Sequence, residues 1–97
     1  MKVYYTNSEF FHQAILGAIP DETQFPAEYA LVAEIDEPDA TPEDAFYLLN
    51  VEPETYIKTL PAGVCHTSMS VGDIVEINGV YSICLPIGWQ ELKGVKA

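Results

Sequence analysis

The side chains here with the reactivity for covalent or acid–base chemistry are Cys65, His66, His12 and Cys84, and the sequence holds no arginine. Cys65 and His66 put a nucleophile next to a base in sequence. On an extended segment, however, adjacent side chains point to opposite sides, so thiol and imidazole cannot readily form the activating hydrogen bond. His12 falls among the apolar residues of a helical pattern and reads as a helix-surface or core-edge residue. A cysteine hydrolase would need the fold to bring His12 or His66 beside Cys65 or Cys84. No catalytic residue is assigned, and the chain is read as a non-enzyme.

Metal chemistry fares no better. Cys65, His66 and Cys84 match no zinc spacing. The run EIDEPDA crowds Glu34, Asp36, Glu37 and Asp39 together, but it lacks the glycine and the distal glutamate of a calcium loop. It reads as a solvated acidic turn. Gly72 and Gly88 are isolated and do not build a phosphate cradle. No metal and no cofactor are expected.

The carboxylates are the remaining resource. Between Val3 and Ile57 the chain carries twelve of them in 55 residues, with no lysine or arginine. The other residues are close to neutral, with Lys58, Lys93 and Lys96 set against Asp73, Glu76 and Glu91. Nearly all of the net charge of -11 is therefore loaded onto the first sixty residues. Such a field repels nucleic acid and attracts basic surfaces. Direct nucleic-acid binding is disfavoured by sign, and so is adhesion to anionic lipid. Halophilic adaptation or simple solubility would produce the same composition.

Duplex DNA carries one charge per roughly 1.7 Å of axis, and carboxylates spread over helices and loops can approach that density. A basic groove shaped for phosphate would then accept this surface in its place. The expected partner-binding residues are Glu34, Asp36, Glu37, Asp39, Glu43, Asp44, Tyr47, Glu52 and Glu54, with the aromatic ring as an anchor. The competing expectation is a general interaction module that binds through the neutral C-terminal hairpin around Tyr81, Ile87 and Trp89.

These residues need a frame. The 97 residues form one domain, 1–97, and 48% hydrophobic content is too rich for a disordered acidic tail. No stretch reaches the roughly 20 apolar residues that span a bilayer. The N-terminus lacks the apolar run and cleavage site of a signal peptide. The two cysteines are then most simply reduced, and the expected setting is the cytoplasm of a host cell.

Lys2–Thr6 (KVYYT) reads as a first strand. A helix follows, capped by Asn7 or Ser8, with Phe10, Phe11, Ala14, Ile15 and Ala18 near helical spacing and Gly17 as its stop. Tyr29–Ile35 reads as a second strand. Thr41 caps the next helix, with Pro42 at its first position and Asp44 completing a capping-box pattern; Asn50 is expected to end it in a left-handed conformation. A further helical turn is expected over Pro53–Leu60. From Val64 the pattern is β: Asp73–Ile77 and Val80–Leu85 flank Asn78-Gly79, a type I′ hairpin signal, and Trp89–Leu92 is a last short strand. The predicted fold is α+β, a small antiparallel sheet with a C-terminal Asn-Gly hairpin, packed by two or three short helices. An exposed edge strand would allow a homodimer.

From Thr41 to Leu92 the chain resembles the YodL-like domain, in which an acidic-capped helix precedes an S-x-S-V-x-D-[IV]-V strand, a short turn, a Tyr-containing strand and a terminal Gly-aromatic segment. Ser68, Ser70, Val71, Asp73, Ile74, Val75, Gly79, Tyr81, Gly88 and Trp89 match that pattern over about half of the chain. The resemblance implies a neighbourhood, small proteins of phages and mobile elements, and brings no activity with it. Together with the charge, it implies an inhibitor of a host defence complex, of the anti-CRISPR or antirestriction type, acting as a DNA mimic on a Lys/Arg-rich surface.

Overall fold

The computed structural model describes residues 1–97. The elements run β1 (Lys2–Thr6), α1 (Ser8–Ile15), β2 (Tyr29–Glu34), α2 (Pro42–Val51), α3 (Pro53–Tyr56), β3 (Ile74–Ile77), β4 (Val80–Cys84) and β5 (Trp89–Leu92). The strands form one antiparallel sheet in the order β2-β1-β3-β4-β5. The α+β class and the hairpin are as expected. Asn78 and Gly79 both have positive φ, 52° and 83°, as a two-residue type I′ turn requires, and they join Ile77 to Val80.

Both faces of the sheet are covered, because successive strand residues point to opposite sides. Val3 and Tyr5 of β1 and Val75 of β3 pack with Ala45 and Leu49 of α2 and with Ile57, Val64 and Met69. Tyr4 and Ile74 point the other way, into a cluster with Phe10 and Ala14 of α1, Phe25, Ile83 and Leu92. A bulge opposite Val3 and Tyr4 inserts Val32 into β2, so Val32 and Ala33 are both drawn into the first cluster.

Local signals account for the helices. The Asn7 side chain accepts from the Phe10 amide and caps α1. Thr41 and Asp44 form a complete capping box on α2: Asp44 N–H donates to Thr41 Oγ1, and Thr41 N–H donates to Asp44 Oδ2 at 2.8 Å. Such a cap contributes about 1 kcal/mol.

Three expectations are corrected. Asn50 does not end α2 in a left-handed conformation; the helix runs on to Val51, and the Asn50 amide donates to the carbonyls of Phe46 and Met69. The helical turn after Pro53 stops at Tyr56, not Leu60. No strand forms between Val64 and Asp73; that segment is irregular, with a bend at Ser68 and a turn at Val71-Gly72, and packs Val64 and Met69 into the first cluster. Its Gly72 (φ 97°) lies so close to α1 that a Cβ there would strike Ala14 and stand 3.2 Å from its backbone.

Candidate functional site

The start of β1, the end of β2 and the β3–β4 turn meet at one end of the sheet, since Lys2 pairs with both Glu34 and Glu76. The acidic turn that follows β2 therefore faces the hairpin across a groove of about 540 Å³, lined by Lys2, Glu34, Asp36, Glu37, Glu76 and Asn78 among others. The turn then leads into the capping box, which sets α2 beside it. A second trough, of about 380 Å³, shares Glu37 with the first and adds Asp39, Asp44 and Tyr47.

So the fold gathers Glu34, Asp36, Glu37, Asp39, Asp44 and Tyr47 at one end. All of them are exposed, and Tyr47 is 63% exposed. The other three predicted residues stand differently. Glu43 accepts from Trp89 Nε1 at 3.1 Å and ties α2 to β5. Glu52 caps the far end of α2 and accepts from the Thr55 hydroxyl, while Glu54 lies on α3. A helix of ten residues puts that pair about 15 Å from the acidic turn. Asp44 is exposed but committed to Thr41.

No acid of this end is held in an ion pair, although two cations, Lys2 and the N-terminal ammonium, line the same groove. Lys93–Glu91 is the one lysine–carboxylate pair, and the His66–Asp73 contact lies elsewhere; neither involves any of these acids. The N-terminal ammonium donates to the Ile35 carbonyl at 2.7 Å, and Lys2 lines the groove without pairing.

The hairpin alternative loses two of its three residues as free surface. Tyr81 is half-buried, with its ring against Phe25 at 5.4 Å, and Trp89 packs on the core around Val3. Ile87, 93% exposed, is the one that stands clear.

Sequence reasoning missed the pair at the centre of the molecule. Asp73 is fully buried. Its carboxylate accepts from the Thr6 amide at 3.0 Å, the Ser70 amide at 2.8 Å and His66 Nε2 at 2.9 Å. The imidazole is stacked on Tyr5, 4.5 Å between centroids, with Phe11 on it at 4.6 Å. Burial pushes the Asp73 carboxyl up, opposed by His66 and the two amides. The same burial, helped by the Asp73 charge, raises the Cys84 thiol to about 11.

This dyad has the composition of a catalytic pair, with Asp73 enclosed and the His66 side chain 12% exposed. Nε2 is committed to the carboxylate, and Nδ1 is buried without a partner. Cys65 is exposed, His66 turns inward beneath it, and both cysteines are free. No three His, Cys, Asp or Glu side chains converge as metal ligands. The signal that would have found the pair is faint: Asp73 is an acid outside the acid-rich half, flanked by Gly72 and Ile74, seven residues from the second of the two histidines. Comparison of the chain with protein-family models, curated proteins and solved structures finds no match.

Proposed function

We propose that this chain is a non-catalytic binding protein of a phage or mobile element that blocks a host nucleic-acid-binding defence complex, of the anti-CRISPR or antirestriction type. It occupies a basic surface made for phosphate, in the host cytoplasm. One observation carries the reading: Asp36, Glu37 and Asp39 are exposed together at one end of the sheet, with no ion pair and no side-chain hydrogen bond. Acids retained for a local purpose, such as Asp44 in its capping box, show that purpose in their partners. These three show none, and with only Lys2 and the N-terminal ammonium near them, their net negative field attracts cations and steers association with a basic partner. The resemblance of Thr41–Leu92 to YodL-like domains supports the setting in mobile elements. β2 and β5 are the sheet edges, and pairing through one of them would give a homodimer with two acidic ends.

The test is displacement of DNA. The chain is added to a type I surveillance complex, and in parallel to a restriction endonuclease, each already bound to labelled duplex. Release of the duplex, weakening as salt rises, is the expected result. A ternary complex that keeps its DNA would overturn the mimicry mechanism.

A further inference from the structure

The smaller trough has a floor as well as charge. It runs between the 37–40 turn and the outer side of α2, with Pro38, Tyr47 and Leu48 supplying apolar surface and Glu37, Asp39 and Asp44 the rim. Tyr47 stands in the open, and Val51, one turn further along α2, is 56% exposed, so this side of the helix has no partner within the chain. Asp44 is held by Thr41, which leaves the Glu37 and Asp39 carboxylates free to accept. An apolar floor under two unpaired carboxylates calls for a side chain with an apolar stem and a cationic head.

We propose that this trough docks an arginine side chain presented by the basic partner; the inference rests on the function proposed above and names the contact. Arginine fits each part. Its three methylenes cover Pro38 and Leu48, its planar guanidinium stacks on the Tyr47 ring, and its fork of donors meets two carboxylates. A lysine ammonium is a strongly hydrated point charge that gains the attraction and little of the stacking. The chain itself contains no arginine, so a second copy cannot supply the occupant.

Two labelled peptides, nona-arginine and nona-lysine, separate charge from shape when titrated against the intact chain by fluorescence anisotropy at low salt. The arginine peptide is expected to bind roughly three- to fivefold more tightly, the ratio that one stacked cation contributes. Tyr47→Leu, on an exposed position, abolishes that ratio and keeps lysine-peptide binding. Glu37→Gln with Asp39→Asn weakens both peptides. Equal binding of the two peptides to the unmodified chain, or a ratio that survives Tyr47→Leu, overturns the arginine trough and leaves the basic-surface reading intact. Failure of both peptides to bind removes the trough and that reading together.

Discussion

His66 and Asp73 form a buried pair, Nε2 to Oδ2 at 2.9 Å, that joins the turns before β3 to the end of β1. The carboxylate is completely enclosed, and its other two donors are backbone amides, of Thr6 and Ser70. Removing it would strand three donors at once. We expect Asp73→Ala to lower stability by about 3–5 kcal/mol, the range for breaking a buried pair from one side. Urea unfolding measures it, and a loss below about 0.5 kcal/mol, typical of surface substitutions, would show that the pair does not hold the fold.

The same carboxylate gives a pH dependence with a definite sign. Burial lifts it above its ordinary 3.8, so the folded chain binds that proton more tightly than the unfolded chain. Its contribution to stability is complete below 3.8 and is lost as pH rises through the folded value. The urea midpoint of the unmodified chain should therefore fall more steeply from about pH 4 upward than that of Asp73→Asn, which has nothing to titrate there. Parallel profiles would contradict the sign.

How much of this was legible can be judged residue by residue. β1 and β5 were readable to their last residue, because each is a short run of strand-forming side chains bounded by a turn. The Asn78-Gly79 turn and the Thr41 capping box were readable because their geometry depends on side chains within three residues. Asn50 misled because its side chain stays on the helix, donating to the Phe46 carbonyl one turn back and to the distant Met69 carbonyl. Asp73 gave no sign of its burial. It stands just before β3, and of the three donors that make its burial tolerable, the Ser70 amide is local while the Thr6 amide and His66 Nε2 are brought to it by the fold. The acidic end was legible as composition only; which acids are free and which are engaged is a property of the fold.

Gly72 and Ala14 mark the closest approach of α1 to the turn before β3. Gly72→Ala should cost at least about 1–2 kcal/mol for its positive φ alone, and more for the collision. Ala14→Gly removes the closest contact, with the Ala14 Cβ, and keeps the strained φ and the 3.2 Å approach to the backbone. The double variant should therefore lose less stability than the sum of the two single variants. Strict additivity in urea titrations would mean that the two residues do not meet.

The free acids should repel one another. Raising salt from about 0.01 to 0.15 M shortens the screening length from roughly 30 to 8 Å. We expect the urea midpoint to rise over that range, and Asp36→Asn with Asp39→Asn to reduce the rise. A midpoint indifferent to salt would indicate that these carboxylates do not share a field.

Glu43 and Asp44 are unsuited to probing recognition, since Trp89 and Thr41 depend on them. Asp36, Glu37 and Asp39 carry no such duty. The most direct measurement is the affinity of the chain for a type I surveillance complex or a restriction endonuclease, before and after Asp36→Lys, Glu37→Lys and Asp39→Lys together, with folding of the variant verified by its melting curve. The account predicts a loss of at least about tenfold at low salt, shrinking as salt rises. A folded triple variant that binds as tightly as the unmodified chain would contradict recognition through the acidic end.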